Sequence, residues 1–118
     1  MINTALFGTL DIDPETTIRI STQLEGHGSN MRYILLQSED HVWLQCVDEP
    51  DFAVKVDDPF SLDPAYDPSF DDSLLAPLGS VSGDNMFVLV PLAEKDTARM
   101  NAPLIINTDT MVGIQITL

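Results

Sequence analysis

The chain has 118 residues, 44% of them apolar, and its 19 acidic residues against 5 basic ones give a formal net charge of −14 at pH 7. That length can bury one hydrophobic core without metals or disulfide staples, so a single domain over residues 1–118 is expected. The negative field opposes direct contact with nucleic acid or anionic membranes and attracts basic partners, and no apolar run nears the roughly 18 residues of a membrane span.

The lone Cys46 excludes an internal disulfide. With no basic start followed by an apolar block at the N-terminus, a reducing cytoplasm is the expected location. Residues 5–12 read as a first strand, with Gly8 marking a bulge or a close backbone approach, and Asp13-Pro14 ends it. Residues 17–21 alternate Ile18 and Ile20 against Thr17 and Arg19, giving a second strand within hairpin distance. A polar loop with two glycines, residues 23–30, leads to strands over 33–37 and 42–47 around the turn Ser38-Glu39-Asp40-His41. Cys46 is in phase with Val42 and Leu44, which predicts a buried thiol, while Trp43 and Gln45 share the opposite face. For Trp43 the expectation is packing; an exposed interface anchor is the alternative.

The fifth strand, residues 52–56, runs into an acidic segment punctuated by Pro59, Pro64 and Pro68. Each proline removes a backbone donor and pushes its predecessor out of the helical region, so a loop is predicted there. Its carboxylates, Asp57, Asp58, Asp63, Asp67, Asp71 and Asp72, are interleaved with Phe60, Leu62, Tyr66 and Phe70. Large apolar side chains in that number predict a loop packed on the body with its acids outward. Residues 39–72 hold eleven acidic residues against the single Lys55. Asp71-Asp72-Ser73 can cap about one helical turn at Leu74 and Leu75 before Pro77 and Gly79 stop it. Residues 86–92 are continuously apolar and read as a strand buried on both faces. Asp96 or Thr97 can cap another short turn, and strands over 104–107 and 112–118 close the chain. Some eight short strands with almost no helix predict an all-β fold, a small closed or partly closed antiparallel barrel with one or two helical turns, a sandwich being the alternative.

These residues resemble the flagellar assembly factor FliW family. The resemblance is carried by Leu44-Gln45-Cys46, Asp58-Pro59, Pro64-Ala65-Tyr66 and Ala102-Pro103-Leu104-Ile105-Ile106-Asn107, which agree in order and spacing over most of the chain. It departs from the family where a Gly-Leu-Pro-Gly-Phe turn becomes Gln23-Leu24-Glu25-Gly26-His27, in a shorter 72–86 segment, and in ending at Leu118 where relatives carry a short tail. The resemblance implies a small barrel that acts by binding proteins. Its partners would be the carbon storage regulator CsrA, whose repression of flagellin translation it relieves, and flagellin itself. A monomer is expected, with no cofactor and no catalytic or metal site.

The candidate protein-binding residues are Asp57, Asp58, Asp63, Tyr66, Asp67, Asp71 and Asp72. A solvated rim and a calcium loop are the rival readings of that segment, and prolines break the ligand alternation that calcium needs. Asp11, Asp13 and Glu15 crowd three carboxylates together, for which ordinary turn chemistry is the expected reason. His27 and His41 have no nucleophile setting and are expected at the surface. No phosphate loop, zinc or hydrolase motif is present, so an enzyme has least support. A chaperone-like module for a filament subunit, without a translational role, is the second functional reading.

Overall fold

The computed structural model describes residues 2–38, 40–66, 70, 72–79, 84–93 and 97–118. Seven strands form a closed barrel in sequence order: β3 (Ile18–Ile20), β4 (Met31–Ser38), β5 (His41–Cys46), β6 (Ala53–Asp57), β7 (Met86–Pro91), β8 (Leu104–Asn107) and β9 (Val112–Gln115). Every consecutive pair is antiparallel. Seven strands that alternate direction leave the first and last pointing the same way. Closure therefore makes one parallel seam, β3 against β9, with Arg19 opposite Val112 and Ile20 opposite Gly113. The all-antiparallel expectation is corrected at that one seam; the closed barrel stands.

Alternation decides which side chains fill the interior. Ile18, Ile20, Tyr33, Leu44, Cys46, Val54, Val56, Leu89, Leu104 and Ile106 form the inner core, with Leu24 added from the loop before β4. Gly113 takes the inward position on β9. A Cβ there would sit 2.9 Å from Ile20 Cδ1, 3.0 Å from Ile106 Cγ1 and 3.2 Å from Ile105 O, so the seam closes only over a residue without a side chain.

A second apolar layer lies outside the wall. Val88, Ile105, Ile114 and Ile116 pack with Leu78 and Leu75, from the segment that follows the acidic loop, and with Phe70 near that loop's end. That covering makes all four residues of β8 buried, an outcome its short sequence does not announce. The covering segment is helix α2 (Asp72–Leu75) and a 3-10 turn (Ala76–Leu78), closed by Gly79 at φ 76°, so the predicted helical turn and its stop at Gly79 are both found. Asn107 Nδ2 donates to Leu78 O at 2.8 Å and ties the layer down.

The N-terminal expectation is corrected. Residues 5–12 are not one strand: β1 (Ile2–Thr4) and β2 (Gly8–Leu10) form their own two-stranded hairpin, and β2 does not pair with β3. Gly8 has φ 69° and open space at its Cβ position, so it serves the turn and not a close approach. Thr4 Oγ1 closes that turn by accepting from Phe7 N and donating to Gly8 O, both at 2.9 Å. The helical turn expected after Asp96 is also absent from the described residues there. Ala98 instead bridges Leu92, and Arg99 N donates to Pro91 O, so the chain returns alongside the end of β7. β9 stops at Gln115, after which Ile116 N and Leu118 N bond to Pro103 O and Asn101 O.

Candidate functional site

The acidic segment leaves β6 at Asp57 and turns at once into helix α1 (Pro59–Leu62). Prolines there predict a loop; a single helical turn forms because Pro59 occupies its first position, where the missing N–H would be unpaired anyway. Asp58 caps it, its Oδ1 accepting from Phe60 N at 2.9 Å and its Oδ2 from Ser61 Oγ at 3.2 Å. Asp57 Oδ1 accepts from Asp58 N at 2.8 Å, and Asp63 Oδ1 from Ala65 N at 3.0 Å. Each carboxylate spends one lone pair on the local backbone and keeps its charge toward water.

Two anchors hold the segment to the body. Pro59 is buried, and Tyr66 Oη donates to Met100 O at 2.8 Å, with partial burial raising the phenol's pKa. The Phe60 and Tyr66 rings meet edge to face, 5.7 Å apart. The predicted packed loop is found only in part over residues 57–66: Pro59 and Tyr66 hold it to the body, with Asp57, Asp58 and Asp63 around them, whereas Phe60 and Leu62, expected to pack there, do not. Asp67 and Asp71 lie outside the described residues, as does the side chain of Asp72. Phe60 and Leu62 remain 47% exposed, and Phe87 on the neighbouring β7 is 41% exposed. Acids and apolar rings thus share one surface.

The altered turn at residues 23–27 bears on a second region. Leu24 is wholly buried beneath it, and Glu25 and Gly26 take φ 50° and 82°, so this is a tight hairpin turn in which a proline at position 25 could not stand. His27 lies flat on Phe52, ring centroids 3.5 Å apart, with Nε2 3.5 Å from Glu49 Oε2. Its imidazole keeps an aromatic plane where the family pattern has phenylalanine. Sequence inspection places His27 at the surface and misses this contact, since nothing local to either residue signals it. Glu25 pairs with Arg99 and also accepts from Gln115 Nε2 at 2.9 Å, fastening the turn to the closing strand.

Cys46 is fully buried, as expected, and burial pushes its thiol pKa up. Gln45, on the outer face, is buried too: its amide donates to Cys46 O, Pro50 O and Phe52 O at 2.9–3.2 Å, holding the turn between β5 and β6. Trp43 packs on the outer wall, half-buried, with Phe7 edge-on at 5.6 Å and Lys55 Nζ 5.3 Å from its ring centre. Asp13 caps the 3-10 turn Pro14–Thr16, the ordinary turn chemistry expected of that acidic cluster. Among the described residues no three His, Cys, Asp or Glu side chains converge in a manner that would hold a metal, and no helix is long and apolar enough to cross a membrane.

The comparisons with known proteins point one way. A family profile described as FliW protein matches residues 1–118. The flagellar assembly factor FliW of Lachnospira eligens is 32% identical over 98% of this chain and 84% of its own length. That of Treponema denticola is 32% identical over 97% and 82%. A solved structure, the crystal structure of the flagellar assembly factor FliW, superposes with a TM-score of 0.88 at 29% identity, covering 99% of this chain and 87% of that one. With its closed barrel and its Leu-Gln-Cys and Ala-Pro-Leu-Ile-Ile-Asn segments in place, the chain belongs to the FliW family of flagellar assembly factors.

Proposed function

We propose that this chain works by binding two proteins: the translational repressor CsrA, whose hold on flagellin mRNA it relieves, and flagellin, which competes for it. Family membership supplies the context of flagellar assembly. The observation that carries the reading is the tethered acidic segment, where Asp57, Asp58 and Asp63 stand beside exposed Phe60 and Leu62 with no basic residue in the run from 57 to 66. A net charge of −14 steers a basic RNA-binding protein toward such a surface. Asp67, Asp71 and Asp72 continue the same acidic run and belong to the proposed surface.

The test uses Asp57→Asn, Asp58→Asn and Asp63→Asn together. Asparagine keeps the oxygen that caps each turn and removes only the charge, so the fold is retained. Association with purified CsrA should slow by about tenfold at low salt, and the difference should fade by about 0.5 M salt. Equal rates at all salt concentrations would remove the acidic segment from the interface. Titrating RNA against the complex then separates a shared surface from coupling between sites, since only coupling reaches a plateau. A pull-down that recovers filament subunits and never CsrA would replace this reading with a chaperone-like one.

A further inference from the structure

β6 ends at Asp57 because Pro59 cannot extend the ladder, and the consequence falls on β7. Leu92 N donates to Lys55 O at 2.8 Å, and Val90 stands opposite Asp57. By strand alternation the main-chain groups of Val88 and Met86 point to the same side, over ground that β6 has left. Continuing the register would set Pro59 beside Val88. Pro59 has no N–H to give, and its carbonyl already accepts from Asp63 N at 2.9 Å within α1. Among the described residues no strand pairs with β7 on this side before Val90.

The gap is an open groove of about 320 Å³ lined by Asp58, Phe60, Met86, Phe87 and Val88. It brings together a free strand edge, two exposed aromatic rings and a carboxylate. Among the described residues the cations lie elsewhere: Lys55 lies over Trp43, Arg32 pairs with Asp48, Arg99 pairs with Glu25, and Arg19 sits on β3, which no ladder joins to β6 or β7. The groove is thus acidic and apolar, with Val88, only 6% exposed, in its lining and no described strand paired to β7 there.

We propose that it takes an extended segment of a protein partner as an added strand along β7. Apolar side chains of that segment would lie on Phe60 and Phe87, and a lysine or arginine would meet Asp58. A docked helix would cover the rings but leave the main-chain groups of Val88 without partners, which is why the occupant is extended. This inference rests on the protein-binding reading above and adds to it the mode of recognition.

Amide hydrogen exchange on the full chain reads the edge directly. In the free protein the Val88 amide should exchange faster than that of Val90. Saturation with purified CsrA or with purified flagellin should slow Val88 at least tenfold for one of the two. The Phe60→Ala, Phe87→Ala double variant, which alters two exposed rings, should bind that partner at least tenfold more weakly with an unchanged melting temperature. Complex formation with Val88 exchange unaltered overturns the added strand and leaves the protein-binding reading standing. If neither protein forms a complex, that reading fails and the added strand falls with it.

Discussion

Gln45 sits at a position that alternation alone assigns to the outer wall, yet it is buried because the turn between β5 and β6 folds back over it. Replacing it with leucine keeps the volume and removes the side-chain donor shared by the carbonyls of Cys46, Pro50 and Phe52, although Pro50 O still accepts from Ala5 N and Phe52 O from Cys46 N. Denaturant unfolding should show a loss of about 1–2 kcal/mol. The neighbouring Cys46 tests the inner wall. Its buried, pKa-raised thiol should resist aromatic disulfide reagents at neutral pH until the protein is unfolded, and rapid labelling of the native state would contradict the packing. Arg32 lies on the exterior, where its hydrogen bonds hold the Asp48 carboxyl below the usual range. A lowered folded value means that the pair contributes above the ordinary carboxylate pKa and is lost as pH falls through the lowered one. Arg32→Gln should therefore melt slightly below the parent at pH 7, and the gap should close in strong acid. These residues separate what alternation reveals from what it hides. The phase of Cys46 with Leu44 is visible in the letters, whereas the burial of Gln45 and the stacking of His27 depend on turns that come back from elsewhere in the chain.

At the scale of elements, the two ends of the barrel wall obey different constraints. The β3–β9 seam runs over Gly113, whose place an alanine could take only by pushing on Ile20, Ile106 and the carbonyl of Ile105. Gly113→Ala should cost about 1–3 kcal/mol in thermal or denaturant unfolding. The 23–27 turn depends on the flat contact between His27 and Phe52. His27→Ala should lower stability by about 1 kcal/mol, and His27→Phe should restore it by supplying an aromatic plane again. Most barrel strands are legible from period-two patterning, β6 most plainly in Val54 and Val56. The N-terminal hairpin is not, since Ala5, Leu6 and Phe7 look strand-like while the positive φ of Gly8 turns the chain through them. Similarly, Pro59 in the sequence reads as a stop, and only the cap from Asp58 shows that it starts a helical turn.

For the whole molecule, a charge of −14 on 118 residues is a repulsive load on the folded state. Raising salt from about 0.01 M to about 0.15 M shortens the screening length from about 30 Å to about 8 Å, and the melting temperature should rise with it. The overall architecture and the acidic character of the candidate surface are readable from residue order, because both follow from local alternation and composition. The groove beside β7 is not, since it arises from where β6 ceases to accompany a strand nearly thirty positions further on. The odd number of staves has a last consequence, for biosynthesis. Thr22 and Gln115, bonded across the closing line, are 93 residues apart, so the first stave must wait for the final one to leave the ribosome. A sheet of these strands without that seam has two unpaired edges, the kind of margin that invites pairing with another chain. Moving the termini by circular permutation would not spare it this wait cheaply, because two staves that run the same way cannot be spliced by a tight bend.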